Sequence, residues 1–171
     1  TDIALGPWGE PCVDNASMVH EFMSRARRTE LNVHVIGALT GDLQGTDLAE
    51  LGQMAEAGVA GFSNGGVPIE SSVVLQRAMQ YARPFGLPLF LRPSVADLES
   101  LGVMQEGQVS ARIGMRGIPD ASEGIGVERI RQLSVGNKVC LTHLSTKDCL
   151  HRIETIRADM SVAVTARQFL L

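Results

Sequence analysis

The sequence lacks the features that mark several classes of protein. Aromatic residues are few: five Phe, one Trp and one Tyr stand against 18 Gly among 171 residues. No basic run is present and the net charge is −4, so the electrostatic footprint of a nucleic-acid or anionic-membrane binder is missing. No apolar run approaches the roughly 18 residues of a membrane-spanning helix. We therefore expect neither nucleic acid nor a membrane among the partners.

Cysteine is also scarce. Cys12, Cys140 and Cys149 are odd in number and show neither a CxxC motif nor zinc-knuckle spacing. Two of them lie within apolar patterns, which is typical of reduced core residues. No secretory leader is recognisable, so we expect a cytoplasmic protein.

Helical and strand patterns alternate along most of the chain. Many glycines with Val, Leu and Ala but few aromatics are typical of α/β folds. The predicted strands are residues 32–38, 59–62, 87–91, 139–141 and 161–165. Three predicted helices begin after Asp14 or Asn15, at a capping box of Asp47 and Glu50, and at Ser71 or Ser72. Three more are predicted over residues 96–101, 122–133 and 146–158. Residues 1–15 are predicted to be irregular, and the Gly-rich residues 102–119 to form a long connection over the surface or a barrel mouth.

Such alternation favours a parallel sheet with right-handed crossovers. An open doubly wound sheet and a (β/α)8 barrel are the two candidates. No GxGxxG or GxxxxGK[ST] motif follows any strand, which weighs against the first. A closed barrel needs about 250 residues, and five strands cannot close one. The chain also ends on an apolar run, residues 169–171, so we expect a single domain, residues 1–171, that is the middle of a longer protein.

One strand end carries a candidate site residue. In the stretch VCLTHLST, residues 139–146, an apolar strand gives way to Thr142 and His143 before the next helix. In parallel sheets, this end of the strand is where chemistry lies. His143 is therefore a candidate metal ligand or general base, with a hydrogen-bonded structural histidine as the alternative.

Six phrases in a fixed order resemble the type I dihydroorotases of the amidohydrolase superfamily. They extend from about Pro7 to the end of the chain. The phrases are GALT (37–40), LAEL (48–51), EAGVAGFS (56–63), GVMQEG (102–107), GIP (117–119) with Glu123, and THLST (142–146). The resemblance implies an incomplete (β/α)8 TIM barrel of about five of the eight strands, with zinc at the carboxyl ends of the strands in the family. There, bound metal activates a water that opens or closes the cyclic amide of dihydroorotate.

The residues aligned with the family's metal ligands are mostly altered. The aspartate-bearing Phe-[Ser/Thr]-Asp-Asp-Gly segment has Asn64 and Gly65 in place of both carboxylates, and a ligand histidine is replaced by Arg92. The substrate-contacting Pro-Asn-Thr aligns with residues 7–9, where Trp8 stands, and the Glu-Val-x-Pro-x-His segment aligns with residues 163–168 without its histidine. Only His143 is retained. A metal held by one histidine is weak, because zinc sites use three or four protein ligands, so no cofactor is expected.

The resemblance leaves three hypotheses. The first is a catalytically inactive dihydroorotase-like protein of pyrimidine biosynthesis, a pseudoenzyme that acts as structural partner of an aspartate transcarbamoylase-like subunit. The second is an active zinc-dependent cyclic amidohydrolase whose remaining ligands lie outside this chain. The third is a piece of barrel without activity of its own. Open sheet edges also predict self-association.

Individual residues have structural alternatives. Arg92 is expected to pair with Asp97 or Glu99 rather than to bind an anion. Trp8 is a candidate plug of the ancestral pocket. The three other histidines lack ligand spacing and are expected to be core or surface residues: His20, His34 and His151.

Overall fold

Parallel strands dominate the computed structural model, which describes residues 2–100, 102–149 and 160–164. The strands are β1 (Asp2–Leu5), β2 (Asn32–Ala38), β3 (Gly61–Ser63), β4 (Leu89–Leu91), β5 (Met104–Gln105), β6 (Gly117–Ile118), β7 (Val139–Leu141) and β8 (Met160–Val162). Six of them form one parallel sheet in the order β1-β2-β3-β4-β7-β8. This sheet curls into a half-barrel, so the predicted partial (β/α)8 architecture is confirmed.

Helices connect the strands on the outside of the sheet. They are α1 (Ala16–Ala26), α2 (Leu51–Glu56), α3 (Ser72–Ala82), α4 (Ala96–Glu99), α5 (Gln108–Ile113) and α6 (Ala121–Leu133), with 3₁₀ turns at Gly41–Leu43 and Arg83–Phe85. The core lies between sheet and helices and includes the fully buried Phe62, Leu89 and Leu141 of the strands and Leu75 and Ile130 of the helices. Within the residues described here, no helix has the length and apolarity needed to cross a membrane.

Local signals in the sequence placed two helix starts correctly. Asn15 caps α1, because its side-chain oxygen accepts a hydrogen bond from the backbone N–H of Met18 at 3.1 Å. Ser71 caps α3 in the same way through the N–H of Val74. Both residue types satisfy backbone donors that have no partner within the helix.

The capping box predicted for Asp47 and Glu50 is wrong. Helix α2 begins at Leu51 without a side-chain cap. The segment that contains Asp47 pairs instead with the end of β2: Thr40 and Leu48 form an antiparallel bridge, and the Gly41 N–H donates to the Asp47 carbonyl at 3.0 Å. This pairing holds the segment away from helical geometry.

The main sheet has six strands in the described residues, whereas five were predicted. The additional strand is β1, within residues predicted to be irregular. It is short and exposed, so it carries little hydrophobic periodicity of its own. Its register with β2, in which Ile3 lies opposite Val33 and Leu5 opposite Val35, defines it as a strand.

The connection over residues 102–119 also has secondary structure of its own. Strands β5 and β6 pair in parallel and enclose α5. Two glycines permit the close approach of these strands: a Cβ on Gly102 would lie 2.3 Å from the carbonyl carbon of Gly117, and one on Gly117 would lie 2.6 Å from the Cα of Glu106. We call residues 102–119 the arm.

Candidate functional site

A cavity of about 150 Å³ opens at the carboxyl ends of the strands. Its wall includes Ile36 of β2, Ser63 of β3 and Phe90 of β4, together with Gly66 and His143 from the loops that follow β3 and β7. This is the end of a parallel sheet at which ligands usually bind. The wall is mainly apolar, and the hydroxyls of Ser63 and Thr142 and the imidazole of His143 are its principal polar groups.

His143 lies where the sequence predicted, just beyond β7. Its backbone has a φ of +61°, which is unusual for a residue other than glycine. The Nδ1 atom is 2.9 Å from the Oγ1 of Thr142, and the ring is exposed at the cavity. The position is suited to a metal ligand or a general base, but a metal ion bound there would need further protein ligands.

Asn64 replaces the expected aspartate, and its whole amide group is engaged. Oδ1 accepts a hydrogen bond from the Oγ1 of Thr40 at 2.6 Å. Nδ2 donates to the carbonyls of Leu43 and Val67, at 3.4 and 3.2 Å. The side chain is 3% exposed. An aspartate cannot make the two donations, so this loop is built for the amide.

Gly66 lies close to both Arg92 and His143. Its carbonyl accepts a hydrogen bond from Nη1 of Arg92 at 3.2 Å. A Cβ at this residue would lie 3.4 Å from the Cε1 atom of His143, and its φ is +80°. Arg92 therefore bonds to the backbone of Gly66, and a side chain at this residue would meet the His143 ring.

Arg92, in place of a ligand histidine, pairs with an acidic residue of the following helix. Its Nη2 lies 2.5 Å from Oε1 of Glu99 on α4, so the expected pairing is confirmed with Glu99, and not Asp97, as the partner. The Glu99 side chain is 19% exposed and the Arg92 side chain 32%. A partly buried ion pair of this kind holds the guanidinium in place beyond the end of β4.

Trp8 does not plug the cavity. The indole forms part of the wall and is 65% exposed. It folds back over Gly6, whose missing side chain leaves the room: a Cβ there would lie 1.8 Å from the ring. The cavity therefore remains open beside the indole, and the predicted plug is wrong.

Glu123 organises the loop that carries His143, a role that the sequence did not reveal. The buried carboxylate accepts hydrogen bonds from the backbone N–H groups of Ser145 and Thr146, at 2.9 to 3.1 Å, and from both hydroxyls. Residues 147–149, which follow, are helical. A negative charge at the start of a helix satisfies its free donors and interacts favourably with its dipole. The one signal in the sequence was the position of Glu123 after the GIP phrase. Its partners could not be recognised, because they lie more than twenty residues away along the chain.

The remaining histidines offer no ligands at the mouth. His34 lies on β2 beside Asp2, with Nε2 and Oδ1 separated by 3.5 Å, and His20 is exposed on α1. His151 lies outside the described residues, as do residues 165–168 of the segment aligned with a family ligand.

The described residues do not fit a zinc site. Among them, no group of three or more His, Cys, Asp or Glu side chains could hold a metal ion. Just beyond the ends of β3 and β4, Asn64 offers a neutral and fully engaged amide, and Arg92 brings a permanent cation. Zinc requires anionic or imidazole donors on several sides. His143 stays a predicted ligand position without companions in this part of the chain.

Two solved structures share this fold. Dihydroorotase from Saccharomyces cerevisiae, in complex with 5-fluoroorotic acid, superimposes with a TM-score of 0.67 and 12% identity over all of this chain and 50% of the other. A D-hydantoinase superimposes with a TM-score of 0.64 and 11% identity over 95% of this chain and 38% of the other. The fold of this chain is therefore that of a partial (β/α)8 barrel, as in these two structures.

Sequence relatives make the comparison more specific. The dihydroorotase of Pelotomaculum thermopropionicum is 34% identical over 168 residues, which are 97% of this chain and 39% of the relative. The dihydroorotase of Desulforapulum autotrophicum is 35% identical over 92% of this chain and 37% of its own length. No family model matches. The chain is thus dihydroorotase-like, as predicted, and it spans less than two fifths of the length of these curated relatives.

Proposed function

We propose that this chain is part of a dihydroorotase-like protein of pyrimidine biosynthesis that is catalytically inactive and acts as a structural partner of an aspartate transcarbamoylase-like subunit. The observation that carries the proposal is the Arg92–Glu99 ion pair at a strand end where the family has a ligand histidine. A cytoplasmic location goes with this function.

The positive charge of Arg92, just beyond the end of β4, supports the proposed inactivity. A dication and a guanidinium repel each other, and a site of low polarity strengthens that repulsion. Arg92 is fixed by Glu99 and by the Gly66 carbonyl, so it cannot swing away without breaking both contacts. The carboxylate that would offset an extra positive charge is replaced by the amide of Asn64.

The retained framework supports a structural role. Glu123 still holds the loop of His143, and six strands with their helices still pack a continuous core. Selection for a stable barrel without its ligand set is expected when the surface of the protein, rather than its cavity, is functional.

The second candidate is an active zinc-dependent cyclic amidohydrolase, with its remaining ligands outside this chain. The observation in its favour is the position of His143, which reaches the cavity from the end of β7. In that case Arg92 would lie beside a metal.

Metal content and turnover separate these candidates. The full-length protein, purified in the presence of zinc, is expected to hold far less than one zinc per chain and to show no hydrolysis or formation of dihydroorotate. About one equivalent of zinc together with turnover would overturn the proposal. Metal binding by the Arg92→His variant, absent from the natural protein, would further weaken the active alternative.

Partnership is measured separately. Sedimentation of the full-length protein with the aspartate transcarbamoylase of its own organism is expected to give a joint complex. Sedimentation of the protein alone tests the alternative partner, a second copy of the protein.

A further inference from the structure

Arg129 fastens α6 to the loop that follows β3. Its Nη1 and Nη2 atoms donate hydrogen bonds to the carbonyls of Glu70 and Ile69, at 2.9 and 3.0 Å. The carboxylate of Glu70 is exposed, and Arg129 has no ion pair among the residues that the structure describes. The guanidinium is therefore fixed in position by backbone carbonyls, which carry only partial charges, and its full positive charge has no direct counterion in this part of the chain.

The third nitrogen of this guanidinium is buried. Nε of Arg129 is shielded from solvent and has no hydrogen-bond partner in the described part of the chain. Buried polar groups are nearly always bonded to protein, to an ordered water or to an ion. Burial also lowers the pKa of Arg129 below its ordinary value, an effect that the negative charge of Glu70 opposes. Both observations describe a desolvated cation that an anion would stabilise.

Arg129 also lines a cavity of about 10 Å³. Helices α3 and α6, strand β4 and the loop after β3 contribute its wall. Most of the wall is aliphatic: Val67, Ile69, Leu75, Leu91 and Ile130. Strands β3 and β4 are each paired on both sides, so the cavity does not lie at an open edge of the sheet. A space of this size accepts one water molecule or one monatomic ion, and it excludes phosphate, sulfate and organic acids.

The polar part of the wall is positively charged. Arg92 and Arg129 both line the cavity, and no carboxylate does so. Glu99 neutralises Arg92. Asn64, the other polar side chain of the wall, is neutral and already bonded through its whole amide. The charge of Arg129 is therefore left over. Because a charge attracts its counterion more strongly in apolar surroundings than in water, this wall favours a small anion over a water molecule.

We propose that this cavity is a binding site for a single monatomic anion, chloride being the abundant one, held by Arg129 with Arg92 beside it. The anion is the counterion that joins α6 to the loop after β3. Gly66 of this loop lines both this cavity and the larger one beside His143, so the bound anion also stabilises one side of the larger cavity. The site is independent of the proposed function, since an active and an inactive barrel would hold the ion alike.

Thermal unfolding of the full-length protein tests the site. At constant ionic strength, replacing sodium gluconate, whose anion is too large for the cavity, by sodium chloride is expected to raise Tm by about 2 °C or more. Arg129→Met should abolish this difference between the two salts. The matched control, Arg77→Met, removes an exposed arginine from α3 and should leave the difference unchanged. An equal effect of chloride on the natural protein and on Arg129→Met would overturn the proposal.

Bromide locates the ion in the natural protein, so the test stands even if Arg129→Met does not fold. Anomalous scattering from crystals soaked in sodium bromide is expected to show one bromide in the cavity, within hydrogen-bond distance of Nε of Arg129. A water molecule at that position, or no anomalous peak, would refute the site. Bromide at Arg129 without any effect of chloride on Tm would show an adventitious ion only, and would refute it as well.

Discussion

Arg92 and Glu99 form an ion pair of 2.5 Å across the start of α4, at the strand end where a metal ligand was expected from the family. The six residues between them include a helix start, so the pair joins the end of β4 to the first helix that follows it. An acidic partner for the arginine was predictable from sequence. The geometry of α4 determines that Glu99, and not Asp97, is that partner.

This ion pair is expected to contribute measurable stability. Arg92→Met and Glu99→Gln should each lower the free energy of unfolding by about 1 kcal/mol, with a coupling of about 0.5–1 kcal/mol in the double-mutant cycle. Urea titration followed by circular dichroism measures all four proteins. The control cycle uses Arg25 and Glu21, a more exposed pair on α1 at 2.8 Å, for which coupling should be smaller. Equal coupling in the two cycles would contradict a special role for Arg92.

Asn64→Asp is expected to destabilise the fold rather than to restore a site. The variant loses the two donations to the Leu43 and Val67 carbonyls and places a carboxylate against those oxygens in a buried position. We expect a loss of about 2 kcal/mol in urea titrations. Unchanged stability with new zinc binding, measured by calorimetry, would show that the loop tolerates a ligand.

The carboxylate of Glu123 is expected to contribute more to the free energy of unfolding than an exposed carboxylate does. Glu123→Gln keeps the shape but turns a donor toward the N–H groups of Ser145 and Thr146, so about 2–3 kcal/mol of stability should be lost. Hydrogen exchange of these two amides should accelerate as well. Glu56→Gln, at an exposed position on α2, is the control and should change stability by less than about 0.5 kcal/mol.

The thiol of Cys12 is expected to be unreactive at neutral pH. Burial, followed by the nearby carboxylates of Asp14 and Asp42, raises the pKa of Cys12 to about 11. Since the thiolate is the reactive form, alkylation by iodoacetamide at pH 8 should be much slower in the folded protein than in urea, and should accelerate as pH approaches 11. Mass spectrometry of the Cys12 peptide measures both rates.

The same shift has a consequence for stability. A thiol whose pKa is higher in the folded state favours folding below the unfolded value of 9.0, and this contribution is lost as pH rises from 9.0 towards 11. Cys12→Ser should therefore flatten the decline of stability in that range. An identical decline in the variant would assign it to other groups.

Features with local causes were predictable from sequence. The bounds of β2 follow from its β-branched run, and the caps Asn15 and Ser71 follow from residue type and spacing. Features with remote causes were not. Strand β1 exists through its pairing with β2, and the strands of the arm exist through the pairing of Met104 with Gly117, thirteen residues away.

The same distinction applies to the candidate site. His143 and the altered ligand positions were recognisable because they lie within phrases shared with the dihydroorotases. The amide network of Asn64 spans residues 40 to 67, and the contacts of Glu123 reach residues 145 and 146. Partners that come together only in the folded protein leave no local signal. A capping box was predicted at Asp47 because a local motif was present, yet the bridge from Thr40 to Leu48 prevails.

The order of the sheet also determines how the chain can assemble during synthesis. Neighbouring strands from β1 to β4 pair with partners about 25 to 30 residues away, but Leu89 of β4 pairs with Val139 of β7, some fifty residues later. The ribosome must therefore release the whole arm and α6 before this junction can close. Since distant contacts form slowly, the first four strands should be protected from hydrogen exchange earlier than β7. A nascent chain that ends at Leu133 should therefore show an intermediate in which β1 to β4 are already paired.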